Sequence, residues 1–254
     1  MSALLERTRI GYFPIPESGC AQVKSMMFQI AYDRLPAGNE ADLHCPSTRF
    51  QPSDLRKSAG FYRFIVIRDP LERLLSFYAR HIVQDNALEA QNALWQTRLA
   101  NVGAFFTKAN SRRLRHLPTR PSLGEFLRDY ELYRAKYPVL FRLMRPAAAF
   151  VGTDLLAYDR IYTLAELPEL HHDLQVISGH TLTLPADPVS PSALQIDKSA
   201  VDWQAKRKVF KLFAQDYDLF GLYLKVPSAE SLRQPQPFFR PAREVIHFGL
   251  DPAH

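Results

Sequence analysis

Apolar positions along the chain fall into short unbroken runs separated by stretches of helical period. Ile10 to Ile15 reads as a first buried strand and Pro16 to Cys20 as a turn. Gln22 to Leu35 reads as a helix with Val23, Met26, Met27, Ile30 and Ala31 on one face. Residues 36–60 carry much Pro, Ser and charge and read as loop. Phe64 to Ile67 is apolar throughout and contains β-branched residues, which suits a strand covered on both faces. Asp69 is then a good N-cap, Pro70 fits the first helical position, and Glu72 stands where a capping box wants its acid. Leu71, Leu74, Leu75, Tyr78 and Ile82 recur at helical spacing and form one apolar face.

The second half repeats this grammar. Asp85 to Asn101 reads as a helix, and Gly103 to Pro121 as basic and irregular. Ser122 and Glu125 form a capping box that opens a helix through about Lys136. Pro138 to Arg145 is a short helical piece, and Ala148 to Val151 and Arg160 to Thr163 read as short strands. Leu167 to Ser178 is helical, and residues 179–200 are a Pro- and Ser-rich loop. A last helix spans Val201 to Phe220, with Trp203, Phe210, Phe213, Tyr217 and Phe220 facing inward and Gly221 as its C-cap. Residues 227–254 are Pro-rich and peripheral, leaving 1–226 as a single domain. Strand–turn–helix units predict an α/β fold, a parallel sheet flanked by helices. Ligands in such sheets bind beyond the C-terminal strand ends, which places the turns at 16–24 and 68–76 on one rim.

The length of 254 residues suits one α/β domain, and 46% apolar content can build its core. No stretch approaches the ~18 apolar residues of a membrane span. Met1 to Arg9 is too charged for a secretory signal, so the chain reads as soluble and intracellular. Cys20 and Cys45 are the only cysteines; they make neither a disulfide framework nor a zinc spacing, and no metal is expected. Cys20 reads as a packing residue rather than a nucleophile. The formal charge of +6 favours anionic partners, and the densest basic patch is Arg112-Arg113-Leu114-Arg115-His116 with Arg120. Zinc-finger spacing and an aromatic RNA-binding signature are both missing, so nucleic acid is not an expected partner.

The chemistry concentrates at Arg68 and Ser76. A cation at a strand end, a hydroxyl two turns into the next helix and that helix's positive end would together hold a phosphate. The run from Phe64 to Tyr78 resembles the 3′-phosphate-binding motif of sulfotransferases, which use 3′-phosphoadenosine 5′-phosphosulfate (PAPS). Its Asp-Pro-x-Glu-Arg-Leu-x-Ser-x-Tyr wording is similar to the carbohydrate sulfotransferase branch. Tyr12 to Lys24 resembles the family's 5′-phosphosulfate loop, with Pro16, Gly19, Cys20 and Lys24 matching. Asp216 to Tyr223 resembles its closing helix. The resemblance implies a P-loop-like fold and PAPS as co-substrate. It gives Arg68 and Ser76 to the 3′-phosphate, and the backbone of Ser18, Gly19, Cys20, Ala21 and Gln22, with Lys24, to the 5′-phosphosulfate. It implies a carbohydrate or glycolipid acceptor and requires no metal. Relatives in the Golgi carry an N-terminal anchor; its absence here argues for a cytoplasmic, bacterial form.

The loop departs from the family pattern at three positions. Glu17 stands where the family has Lys, and Ala21 and Gln22 stand where hydroxyl residues contact the phosphate. A lysine would stabilise charge on the leaving oxygen, whereas a glutamate repels it. Either Lys24 or a basic residue from 112–120 substitutes, or the chain is a weakened relative that binds nucleotide or anionic glycan without transfer. The resemblance makes His44 the candidate general base, with Glu40 in reserve. The turn lacks the Gly-Lys-Ser/Thr of nucleotidase phosphate loops, which argues against a kinase.

Overall fold

The computed structural model describes residues 2–41, 50–92, 113–114, 116–185, 196 and 201–224. Its sheet has four strands in the order β1-β2-β3-β4: Ala3–Leu5, Ile10–Tyr12, Tyr62–Ile67 and Arg160–Thr163. β2, β3 and β4 are mutually parallel, with Tyr12 opposite Phe64 and Ile65 opposite Ile161. β1 runs antiparallel to β2, so the all-parallel sheet expected from the sequence is corrected to a mixed one. β1 is three residues long, and a hairpin partner of that length leaves almost no periodic signal.

The unbroken apolar run of β3 feeds two cores. Phe64 and Val66 join Ile10, Tyr12, Tyr162 and the helices on one face. Ile65 and Ile67 join Phe13, Ile15, Ile161 and the helices on the other. Alternate side chains point to opposite faces of a strand, so a strand covered twice needs apolar residues at every position. The first face is covered by α1 (Cys20–Tyr32) and α6 (Leu167–Ser178) through Val23, Met26, Met27, Ile30, Leu170 and Leu174. α1 starts two residues before the sequence expectation and stops at Tyr32, where Asp33 turns left-handed; Ala31 is exposed rather than inward.

A short helix, α2 (Pro52–Lys57), precedes β3. The opposite face carries α3 (Pro70–Phe77), which continues as a π-helical segment over Tyr78–Gln84. Asp69 caps α3 by accepting from the N–H groups of Leu71 at 2.9 Å and Glu72 at 3.1 Å. The Ser122–Glu125 capping box is present, but the helix it opens breaks at Asp129 into α4 (Leu123–Arg128) and α5 (Tyr130–Lys136). The last helix is likewise two, α7 (Trp203–Leu212) and α8 (Ala214–Phe220), divided at Phe213. Trp203 is 40% exposed, and Gly221 is right-handed rather than a left-handed cap. Ala148–Val151 forms a helical turn, not a strand. Helical residues occur at 87–92; the remainder of the expected 85–101 helix and the Pro-rich 227–254 segment lie outside the described residues. Among the described residues, no helix is long and apolar enough to cross a membrane.

Candidate active site

The two turns named from the sequence meet on one rim. The chain leaves β2 and turns at Pro16–Gly19 to enter α1, while Arg68 and Asp69 link β3 to α3. Two arginines clamp this loop from the β3–α3 side. Arg73 Nε donates to the Pro16 carbonyl at 2.9 Å, and Arg68 Nη1 donates to the Glu17 carbonyl at 3.2 Å. Arg73 is fully buried; its guanidinium also donates to the Leu143 and Arg145 carbonyls at 2.7 and 2.8 Å and faces Asp216 at 3.5 Å. Asp216 accepts from the Ala147 N–H at 2.6 Å. Burial pushes the Asp216 carboxyl up to about 6, against the pull of Arg73, so it is still ionised at neutral pH.

The loop backbone suits an anion at the start of α1. Gly19 is its N-cap with φ 77°, and it supplies no side-chain cap. The first amides of a helix have no intrahelical acceptor and carry the positive end of its dipole. The φ at Gly19 favours glycine, and a Cβ there would lie 2.6 Å from Leu164 Cδ1, so that side chain would have to shift. The Ser18 hydroxyl is buried without a hydrogen-bond partner, and the buried Arg68 Nε makes none either, with Glu72 Oε2 3.6 Å away. A buried unpaired donor carries a desolvation cost of roughly 1–3 kcal/mol that a bound acceptor would remove. Both atoms therefore suit the oxygens of a phosphate or sulfate group.

The other positions named from the sequence are placed as follows. Cys20 donates its S–H to the Ile15 carbonyl at 2.7 Å and accepts from the Tyr12 hydroxyl at 3.4 Å. Burial pushes the thiol up, so Cys20 packs the turn as a neutral group. Ala21 and Gln22 occupy the first turn of α1, half-buried, and Lys24 lies one turn on, 5% exposed. His44 lies outside the described residues. Glu40 accepts from both guanidinium nitrogens of Arg34, at 2.8 and 3.0 Å, and from the Ala37 N–H at 2.7 Å. These partners hold its carboxyl down at about 2, which makes it a weak proton acceptor in this arrangement. In the basic patch, Arg113 pairs with Asp129 and Arg120 with Glu89; Arg112 and Arg115 lie outside the described residues.

Glu17 is placed unlike its sequence expectation. Its backbone is left-handed, with φ 63°, and its carboxylate turns onto α3. Ser76 Oγ donates to Oε2 at 2.9 Å, and His81 Nε2 stands 3.1 Å from Oε1. Burial raises the Glu17 carboxyl, but the His81 and Ser76 hydrogen bonds and the charges of His81 and Arg80 bring it below its ordinary value. His81 Nδ1 in turn faces Asp85 at 3.1 Å. Sequence reasoning missed His81. Five residues along a regular α-helix lie about 140° round the axis; the π-helical segment turns His81 back toward Ser76. The available signal was a His followed by Asp four positions on, a pair that meets on a helix.

A shallow hollow of about 310 Å³ lined by Tyr62, Arg160, His172 and Asp173 sits at the opposite ends of β3 and β4, remote from this rim. Among the described residues, no group of His, Cys, Asp and Glu has a metal-binding arrangement. Neither a curated protein nor a solved structure matches the chain. A family model described as the sulfotransferase family matches residues 4–223, which takes in β2, β3, β4, all of β1 but Ala3, both turns of the rim and the helix bearing Asp216. The chain belongs to the sulfotransferase family, of the family 2 type.

Proposed function

We propose that the chain transfers a sulfuryl group from PAPS to a hydroxyl or amine of a carbohydrate-type acceptor, on a P-loop-like framework. The observation that carries this reading is Arg68. It follows β3, reaches across to the carbonyl of Glu17 and keeps a buried Nε that makes no hydrogen bond, with Glu72 Oε2 3.6 Å away. Arg68 and Ser76 are assigned to the 3′-phosphate. Ser18 and the amides from Gly19 to Gln22 are assigned to the 5′ group, with Lys24 near the loop. PAPS supplies the sulfuryl group; these residues bind and orient it, and the helix start stabilises charge on the leaving phosphate. His44 is assigned as the base that takes the acceptor's proton.

A second reading is favoured by the bond between Ser76 and Glu17, which engages the hydroxyl with a carboxylate. On that reading the chain binds nucleotide or anionic glycan with little transfer. Calorimetry with adenosine 3′,5′-bisphosphate, followed by labelled-sulfate transfer to a glycan set, separates the two. Binding with transfer supports the enzyme, binding without transfer supports the second reading, and no binding sinks the enzyme and the nucleotide-binding form of the second reading.

A further inference from the structure

We propose that the Glu17 carboxylate is a built-in occupant of the 3′-phosphate subsite, and that the nucleotide displaces it and takes over His81 as an additional phosphate ligand. The inference rests on the assignment of Ser76 to that phosphate. A serine hydroxyl has a single proton to donate. Ser76 donates it to Glu17 Oε2 at 2.9 Å, so it cannot at the same time donate to a phosphate oxygen. The arrangement in the free chain and the role of Ser76 in binding are therefore mutually exclusive, and one must give way to the other.

The surroundings of the carboxylate are those of an anion site. One oxygen is held by a hydroxyl and the other faces an imidazole nitrogen 3.1 Å away. Arg80 adds positive field, and Arg68 is fastened to the backbone carbonyl of the same residue. Glu17 Oε1 and Oε2 thus stand where two phosphate oxygens would meet the Ser76 hydroxyl and, with a proton on Nε2, the His81 ring. Asp85 faces the far side of the His81 ring at 3.1 Å, which fixes the ring and leaves Nε2 directed into the site. The Glu17 side chain is 7% exposed and that of His81 16%, so this is an enclosed contact and not a surface ion pair.

Glu17 occupies the left-handed region at φ 63°, which is disfavoured for a residue with a Cβ. The Pro16 and Glu17 carbonyls stay held by Arg73 and Arg68, so displacement is a movement of the Glu17 side chain driven by the incoming phosphate. Apparent affinity for the nucleotide is then lowered by the fraction of chains in which Glu17 is seated.

The test compares adenosine 3′,5′-bisphosphate with adenosine 5′-phosphate by calorimetry on the full chain. Glu17→Ala should tighten the bisphosphate about tenfold, the scale of one charge-assisted hydrogen bond, and leave the 5′-phosphate unchanged. His81→Ala introduced on top of Glu17→Ala should reverse most of that gain. Glu17→Gln, which keeps the shape and removes the charge, gives the same direction with a smaller gain and covers the case in which Glu17→Ala does not fold. Bisphosphate binding that is weakened or unchanged in the Glu17 variants would show that the carboxylate is a strut, and the proposal falls. Arg68→Ala separates this failure from failure of the underlying assignment. If it weakens both ligands equally, the 3′-phosphate site itself is misplaced.

Discussion

Arg68 and Arg73 flank the start of one helix and hold consecutive carbonyls of one loop, yet they do different work. Arg73 is 1% exposed and saturated: Pro16, Leu143, Arg145 and Asp216 surround its guanidinium. Its carbonyl partners come from the loop at Pro16 and from Leu143 and Arg145 far along the chain, so it pins the loop to the body of the protein. Arg68 is partly exposed, donates to the Glu17 carbonyl, and keeps a buried Nε that faces Glu72 Oε2 only at 3.6 Å, beyond hydrogen-bond distance. A saturated buried cation gives position, and an unsaturated one at a rim gives binding. The same contrast separates the acids: Asp216 is fixed beneath the loop, while Glu17 sits on donors that a ligand would also use.

The largest expected effect is on the buried side of this contrast. Asp216→Ala leaves the Arg73 charge buried and unpaired, and breaking such a pair costs about 3–5 kcal/mol. Thermal or urea unfolding should show it as a clear loss of stability. A variant that melts like the native chain would mean that the carbonyls alone satisfy Arg73, and the two arginines would then differ less than their surroundings suggest.

Gly19→Ala should come next, at roughly 1–3 kcal/mol, because the new Cβ meets both a left-handed φ and Leu164. It should weaken nucleotide binding as well, since the same glycine shapes the start of α1. Unchanged stability and binding would show that the loop yields readily, which would undercut its pre-organisation.

Arg68→Ala is expected to invert the pattern of Asp216→Ala. Binding of adenosine 3′,5′-bisphosphate should fall tenfold or more, from about 1.5–3 kcal/mol for a charge-assisted bond. Folding stability should change by less than about 1 kcal/mol. Ser76→Ala should weaken the same ligand by less, because removal of the hydroxyl also frees Glu17. A stability loss in Arg68→Ala as large as that in Asp216→Ala would collapse the distinction.

The sequence made β3, the Asp69 cap and the Ser122 box legible because each is written in adjacent residues. The placement of Arg68 just after β3 and of Ser76 within α3 was legible for the same reason, since adjacent residues write both elements. Arg73 was not, since Asp216 and the carbonyls of Leu143 and Arg145 reach it from far along the chain. Ala148–Val151 misled because four apolar residues cannot distinguish a strand from a helical turn. Its neighbour Ala147 donates to Asp216 and the turn follows that anchor. His81 was hidden by a π-helical segment, which no α-period reading anticipates, and Glu17 by a left-handed backbone at a residue other than glycine.

The smallest expected effect is the pH dependence of Glu17 in the acid range. Its carboxyl is raised by burial but lowered more by His81, Ser76 and Arg80, so the folded value lies below the ordinary 4.5. Below 4.5 the unfolded chain then binds more protons at this site than the folded one, and stability rises with pH. The contribution is complete above 4.5 and is lost as pH falls through the folded value. Stability measured against pH for the native chain and for Glu17→Gln should therefore diverge as pH rises to 4.5. Asp216, pushed up to about 6, titrates in both proteins and cancels in the difference. A difference of the opposite slope would mean that burial outweighs the donors around Glu17, and the carboxylate would then be a poor stand-in for a phosphate. Saturating adenosine 3′,5′-bisphosphate should flatten the difference, because a displaced Glu17 titrates as an ordinary exposed acid.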